Sequence, residues 1–476
     1  MKKFKVLTVL LCLSFTATIA QNEIHALKFS QLTFGGTAKY LGMGGAYGAQ
    51  GGDFSVLSSN PAGIALYKKS EISFSPSFYI SNSNSNYLGM SSEDNRFNFN
   101  LSNIGVVLTY PVDKENSWSN VNFGFGMNRL NNFNNRVDIV GINKTGSFVD
   151  QYLGWAQNTN YDNLEAFSTD LAWGTYLIDT VPGTTDHYFG AVNKYGEQQR
   201  KSIDSRGSQN EMVFSFGANY NEKFYIGGTL GIPYIRYMEE STYKEIDVAD
   251  SIPGFKSFTL NENFNTTGSG VNFKFGMIFR PVDFVKLGVA IHSPSFYEMK
   301  IDYSKKLTTE FDSVSFDQSS PKGYFDYQLQ TPFRAIGSIA IVFGKYGQVT
   351  ADAEFVDYTE ARFYSKDYPY YDENDAIRNN YNSQINLRAG TEWNAAPFTF
   401  RGGFAMYGSP YKSGLNDGSV MCFSGGIGYR EEGYFIDVAY VLRKTSEDYY
   451  LYSMNTNAAT IETLSHQIVW TLGFRF

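Results

Sequence analysis

The sequence predicts an all-β protein, a 14-stranded antiparallel transmembrane β-barrel with an N-terminal plug in its lumen. Three observations predict it: apolar and polar residues alternate with a period of two, short turns alternate with long polar loops, and a glycine-rich segment precedes the first strand. Composition agrees, because only 18% of residues are charged, below the roughly 25% of soluble domains. The 476 residues are therefore interpreted as one closed sheet and its plug.

Residues 1–20 have the layout of a secretory signal peptide. Lysines within the first five residues precede an apolar run, and Thr18 and Ala20 are small residues at the positions that signal peptidase reads. We expect cleavage before Gln21. A lipoprotein signal is disfavoured because Leu11, not a small residue, precedes Cys12.

The charge of the chain and the placing of its histidines disfavour nucleic-acid binding, metal binding and catalysis. The formal net charge is -8, and loss of the signal lysines makes the mature chain more negative, which disfavours nucleic acid as a partner. The four histidines are scattered without ligand spacing, and no Ser/His/Asp or Cys/His arrangement can be placed. We therefore expect no enzymatic activity, no cofactor and no metal site.

The barrel is predicted to occupy residues 71–476. One face of each strand is apolar and the other polar or small; near the C-terminus Ile468, Trp470 and Leu472 share one face, while Val469 and Thr471 lie on the other. We place the strands near 71–80, 101–110, 119–129, 208–219, 222–243, 256–280, 283–303, 321–343, 347–362, 382–394, 397–408, 418–430, 433–446 and 463–476.

The connections indicate how the barrel lies in a membrane. Tight turns follow strands four, six, eight, ten and twelve, and longer polar loops follow the odd strands, as in bacterial outer-membrane barrels. The terminal Phe476 is expected to be recognised by the barrel-assembly machinery. We predict a monomer surrounded by outer-membrane lipid.

The longest predicted loop, residues 130–207, carries two short apolar patterns with helical spacing. These patterns predict a hydrophobic groove above the barrel mouth, or alternatively the loop's own small core. The residues concerned are Phe148, Tyr152, Trp155, Leu164, Phe167 and Leu171.

Residues 21–70 are predicted to form the plug, since they are rich in Gly, Ala and Ser and lack strand alternation. A barrel of fourteen strands leaves room for such a segment. The NPAG motif before the first strand predicts a rigid corner from lumen to wall, with a glycine free to adopt positive φ. The predicted plug residues are Gly35, Gly36, Gly42, Gly44, Gly45, Asn60, Pro61, Ala62 and Gly63.

The segments "FGGTA", "LGMGGAYGA" and "NPAG" resemble the N-terminal hatch of the FadL/TodX family of outer-membrane transport proteins. The resemblance implies a 14-stranded barrel, a plug made by the N-terminus, and passive uptake of hydrophobic molecules, above all long-chain fatty acids. It also implies capture at extracellular loops, binding beside the hatch, and release through a hatch shift or a lateral opening in the wall. An adhesion barrel with a closed hatch is the alternative.

The resemblance further implies an inward kink in the third strand. Gly124 and Gly126 are the candidates, because glycine weakens a strand and permits a bulge. The same two glycines would equally make room for the plug.

Overall fold

The computed structural model describes residues 23–112, 117–412, 414 and 416–476; the predicted signal peptide lies outside them. Fourteen wall strands pair antiparallel with their neighbours, and the last pairs with the first, so that the sheet closes into a barrel. In chain order they are β1 Glu71–Tyr87, β2 Met90–Pro111, β3 Trp118–Asn132 continued by Asn135–Asn143, β4 Glu197–Tyr220, β5 Phe224–Ile246, β6 Phe255–Val282, β7 Val285–His292 continued by Phe296–Phe311, β8 Gly323–Gln330 continued by Arg334–Phe343, β9 Gly347–Asp357, β10 Ser383–Ala395, β11 Phe398–Tyr407, β12 Val420–Arg430, β13 Tyr434–Tyr450 and β14 Ala458–Arg475.

The predicted barrel fold is confirmed, and the wall begins at Glu71, the predicted first residue of the barrel. The first loop is the main correction. Residues 81–100, expected to be a polar loop, extend β1 and β2 into a long hairpin that turns at Leu88 and Gly89, both with positive φ. In β1 serine and asparagine alternate, so this strand has no apolar face for the pattern to detect, and the added part of β2 has only Phe97 and Phe99 as apolar residues on its outer face.

The outer surface of the barrel carries an apolar belt. Outward side chains such as Phe214, Phe216 and Phe275 are 44–48% exposed, although aromatic side chains of this size are normally buried in water-soluble proteins. A continuous exposed apolar band on a closed barrel is the surface of a membrane-spanning protein. No helix among the described residues is long and apolar enough to cross a membrane.

The excursion after β3 spans residues 144–196, shorter than the predicted 130–207, because both flanking strands extend into it. It contains helices α3 (Phe148–Ala156) and α4 (Thr169–Gly174). Together with the loop ends of β5, β6 and β14 they bury one apolar core, which covers the loop end of the barrel. Helix α3 is tied down by Glu245, which accepts hydrogen bonds from the backbone N–H of Phe148, at 2.8 Å, and from the hydroxyl of Ser147.

The plug consists of four short helical segments in the lumen. They are α1 (Glu23–Ser30), α2 (Ala38–Gly42) and two 3₁₀-helices, Phe54–Ser58 and Pro61–Leu66. The plug packs against most of the wall: α2 contacts β11–β14, and the second 3₁₀-helix contacts β3–β6. A further helix, α5 (Tyr371–Asn380), lies in the loop after β9 and contacts α1.

Candidate functional site

Glycine allows the plug and the wall to approach each other closely. Gly44 has a φ of +63°, and a Cβ there would lie 2.9 Å from the backbone nitrogen of Phe404 in β11. On the wall side, a Cβ at Gly227 of β5 would lie 2.4 Å from the carbonyl oxygen of Pro61. Larger residues do not fit at either contact without moving backbone. A Cβ at the other predicted plug glycines would also meet a neighbour. The nearest residue would be Arg129 for Gly35, Ser55 for Gly36, Gly426 for Gly42 and Phe34 for Gly45.

The NPAG motif begins a helix and anchors the plug. The side chain of Asn60 caps the 3₁₀-helix, accepting from the N–H of Ala62 at 3.2 Å, and donates to the carbonyl of Gly48 at 2.6 Å. Pro61 occupies the first helical position, where its missing N–H costs nothing. Gly63 does not use a positive φ, contrary to our expectation; its missing Cβ instead avoids Val56, whose Cγ1 would be 2.5 Å away.

Gly124 and Gly126 lie in a regular part of β3, paired in register with β2 and β4. The predicted kink is not found at these glycines. They contact the plug instead: a Cβ at Gly124 would lie 2.8 Å from Cδ1 of Ile64, and one at Gly126 would lie 2.6 Å from Cζ of Phe54. The strand breaks farther along, at residues 133–134.

A seam opens in the wall near this break. Residues 103–111 of β2 pair with 120–128 of β3, but residues 90–102 of β2 pair only with β1. Beyond the break, β3 stays paired with β4, and its backbone carbonyls at Arg136 and Asp138 accept hydrogen bonds from the inward hydroxyls of Ser83 and Ser85. The β1–β2 hairpin therefore overlaps the outer face of β3 and β4.

Polar side chains hold this overlap together. The carboxylate of Asp204 on β4 binds Arg96 of β2, as well as Arg136 and Arg206 at 3.0 and 3.1 Å. Asp138 accepts from Ser92 of β2 at 2.7 Å. We call these six residues the seam clasp: Arg96, Arg136, Asp204, Arg206, Ser92 and Asp138. It replaces a backbone ladder with ion pairs.

A small chamber lies in the lumen between α1 and the wall. Its volume is about 20 Å³, and it lies where β7 and β8 are interrupted, at residues 293–295 and 331–333. This volume holds one water molecule and no more than two. Phe29 of α1 and Leu130 of β3 contribute apolar walls, so the chamber adjoins both the plug and the seam.

The cations in the chamber are already paired. Lys274 forms an ion pair with Glu211 and also donates to Asn272 at 3.0 Å. Arg334 donates to Glu354 at 2.7 Å and to the carbonyl of Ser30. Buried charges need such partners, since an unpaired one is costly in a low-dielectric interior.

Most of the residues that were predicted to line a loop groove are buried instead. Phe148, Tyr152 and Leu171 are buried in the core of the excursion, and Leu164 and Phe167 are partly buried; Phe167 packs on Tyr303 at a ring distance of 4.8 Å. Trp155 alone of the six is exposed, at 38%. The arrangement agrees with the alternative interpretation, a small loop core.

Sequence reasoning missed the chamber residues Gln209, Glu211, Lys274 and Arg334. A signal did exist: Lys274 stands between Phe273 and Phe275, which face lipid, so its own side chain must face the lumen. An isolated charge on the lumen side of an otherwise apolar strand marks such a site. The distant partners that complete the chamber cannot be identified from one strand.

The site and the fold define the class of protein: a membrane-spanning barrel of fourteen strands, closed by an N-terminal plug. Neither a protein-family model nor a curated protein sequence matches the chain. Solved structures do match, and they share this architecture.

A Pseudomonas aeruginosa FadL homologue superposes with a TM-score of 0.58 at 14% identity, covering 94% of this chain and 99% of that one. The P. putida toluene transporter TodX gives 0.53 at 12% identity, with 93% and 99% covered. The Ralstonia pickettii toluene transporter TbuX gives 0.51 at 15% identity, with the same shares covered. The chain therefore has the FadL/TodX fold, as the resemblance of its hatch segments implied.

Proposed function

We propose that this protein is an outer-membrane channel for the passive uptake of hydrophobic small molecules. The observation that carries the proposal is a plugged barrel whose internal chamber adjoins a seam in the wall. The similar structures include a FadL homologue and two toluene transporters, which supports the same class of cargo. Long-chain fatty acids are the cargo that the hatch motifs imply, and monomeric insertion through Phe476 belongs to the same proposal.

The described state of the channel is closed. The chamber has no room for an alkyl chain, because Phe29 of α1 packs against Phe133 and Tyr237, with ring centroids 5.9 and 6.0 Å apart. The loop end is covered by the core around α3. Ligand entry therefore requires α1 to move, and burial of the ligand at about 25 cal/mol per Å² of apolar area offsets the lost contacts.

The contacts of the chamber also suggest the route by which a ligand leaves it. Leu130 lines the chamber and stands three residues before the break in β3. Beyond that break β3 keeps its backbone ladder with β4, but β2 and β3 are joined by side chains rather than by a backbone ladder. A hydrophobic molecule leaving the chamber here enters the outer apolar belt and avoids a polar route through the whole plug.

Uptake by cells tests the proposal. A strain that lacks the gene is compared with the same strain complemented by the wild-type chain, using labelled long-chain fatty acids and labelled toluene at limiting concentration. Complementation is expected to raise uptake of at least one of them. Equal uptake of both in the two strains would refute the channel function.

A second measurement tests the closed plug. Deletion of residues 21–63 is expected to raise conductance in planar bilayers sharply, because residues 23–63 fill the lumen. Unchanged conductance would show that the plug does not seal the barrel. The adhesion alternative predicts instead that removal of residues 144–196 abolishes binding to a surface while uptake persists.

A further inference from the structure

The chamber contains a buried hydrogen-bond acceptor with no donor. Gln209 is 1% exposed, and its Oε1 has no hydrogen-bond partner among the described residues. Its Nε2 donates to the hydroxyl of Tyr297 at 2.8 Å and to the carbonyl of Phe29 at 3.4 Å. The Phe29 carbonyl only accepts, so it fixes the orientation of the amide and leaves the oxygen unpaired.

Ser30 adds a second unpaired group to the same chamber. Its side chain is 1% exposed, and its hydroxyl has no partner, although its backbone carbonyl binds Arg334. Native proteins satisfy nearly all buried polar atoms, and each exception needs an explanation. Oε2 of Glu211 also has no partner, so three exceptions lie at one cavity, one from α1 and two from β4. They indicate a place for a polar group from outside the protein.

The charges around the chamber disfavour an anion. Lys274 is held by Glu211, Arg334 is held by Glu354, and His292 Nε2 lies 2.6 Å from the carbonyl of Ser59. A carboxylate would have to break one of these pairs, and it would face the oxygens of Gln209 and Glu211. A hydrocarbon would leave the Gln209 oxygen unsatisfied, at the cost of a buried acceptor without a partner.

We propose that the chamber recognises the headgroup of its hydrophobic cargo as an uncharged hydrogen-bond donor, a hydroxyl that donates to Gln209 Oε1 and bonds with the Ser30 hydroxyl. This inference rests on the proposed channel function and narrows its substrate class. The donor is the O–H of a long-chain alcohol or of a fatty acid in its protonated form. The alkyl tail takes the space that α1 vacates along Leu130.

Binding of ligands that share an unbranched ten-carbon chain to the purified full-length mature protein tests the inference. The probes are 1-decanol, 1-methoxydecane, which has the ether oxygen but no donor, and decane. Decanol is expected to bind roughly tenfold or more tightly than the ether, the ratio for one hydrogen bond to a buried acceptor. Decanoic acid tests whether the donor can also be the O–H of a protonated fatty acid. It should bind at a pH below its solution pKa and lose affinity at a pH above it.

Two variants assign the preference to Gln209. Gln209→Leu removes the acceptor and should bring decanol and the ether to within about twofold. Tyr297→Phe is the matched control, because it removes the other partner of the same amide but leaves Oε1 in place; the preference should survive. Folding of each variant is checked by its heat-modifiable migration on gels.

The outcomes separate the two proposals. Equal binding of decanol, ether and decane, or tighter binding of decanoate at alkaline pH, overturns the headgroup inference and leaves the channel function standing. Loss of the preference in Tyr297→Phe but not in Gln209→Leu overturns the assignment to Gln209. If no probe binds the wild-type protein, the proposed function itself fails. If Gln209→Leu does not fold, the wild-type comparison still decides the headgroup class.

Discussion

The two halves of the junction between β2 and β3 are built differently. In the half near the turns, residues 103–111 and 120–128 form a regular ladder, and the plug side chains of Phe54 and Ile64 pack behind it. In the half near the loops no backbone bonds join the strands, and the seam clasp holds the overlap. The first half resists opening because in lipid every broken backbone pair leaves polar groups unsatisfied. The second half has only side-chain partners to exchange, and for this reason the proposed exit is placed there.

The largest effect is expected where the plug meets a fully laddered part of the wall, at β5. Gly227→Ala places a Cβ 2.4 Å from the carbonyl oxygen of Pro61, a backbone contact that cannot yield without moving the plug. We expect a loss of about 3 kcal/mol in the free energy of unfolding, together with higher conductance in bilayers. Denaturant titration by tryptophan fluorescence and single-channel recording measure the two quantities.

The neighbouring glycine is the control for this variant. A Cβ at Gly228 would have its nearest neighbour at 3.7 Å, an ordinary contact. Gly228→Ala is therefore expected to be neutral or stabilising by less than about 1 kcal/mol, through its effect on the unfolded chain. Equal effects of the two substitutions would mean that the plug does not press on β5.

A smaller effect is expected at the plug anchor. Asn60→Ala removes the helix cap at Ala62 and the bond to the carbonyl of Gly48, which leaves a buried carbonyl short of a donor. A loss of about 2 kcal/mol and a modest rise in conductance are expected. Asn160→Ala is the matched control, since Asn160 caps a 3₁₀-helix in the exposed excursion with the same kind of bond. A conductance rise in the control as large as in Asn60→Ala would contradict the anchor assignment.

The same contrast explains what the sequence could predict. The wall strands were predictable because lipid on one side and the packed lumen on the other impose a period-two pattern along each strand. The extension of β1 was missed because its upper half, with Ser83 inside and Asn84 outside, is polar on both faces, and the added half of β2 carries only Phe97 and Phe99 as outward apolar residues. A rule based on apolar alternation has too short a pattern to detect there.

The candidate site divides in a similar way. The plug glycines were predictable from composition, because close backbone contact requires small residues. The chamber and the seam clasp depend on pairs far apart in the chain, such as Lys274 with Glu211 and Arg96 with Asp204. Their formation is decided by the register of the closed barrel, and one sequence does not reveal which lumen residues come to face each other.

At the seam, the substitution Asp204→Asn should loosen the clasp without unfolding the barrel. It removes the charge shared by three arginines, two of which are 41–46% exposed, so solvent screening limits the cost to about 1 kcal/mol. Amide hydrogen exchange is expected to speed up in residues 90–102 of β2 and to stay unchanged in residues 103–111. Added salt should produce the same local change in the wild-type protein, because screening weakens ion pairs.

The control for the seam is an ion pair at the other end of the molecule. Glu222→Gln breaks the exposed pair with Lys68, whose atoms are 3.0 Å apart. Exchange in β2 should not respond to it. Uniform acceleration along the whole of β2 in Asp204→Asn would show that the two halves of the junction open together, and the comparison between them would fail.

The smallest effect is expected at Trp155, in helix α3 of the excursion. The side chain is 38% exposed and packs edge-on against Tyr152, with ring centroids 6.1 Å apart. Trp155→Ala should change the free energy of unfolding by less than about 0.5 kcal/mol, as is usual for surface positions. Uptake should also be unchanged, because the aromatic partners of this position are closed into the loop core rather than open as a groove. Tyr346→Ala, an exposed tyrosine on a tight turn of the opposite end, gives the background for such a substitution. A fall in uptake for Trp155→Ala alone would restore the capture groove and make the excursion, rather than the seam, the first place where a ligand binds.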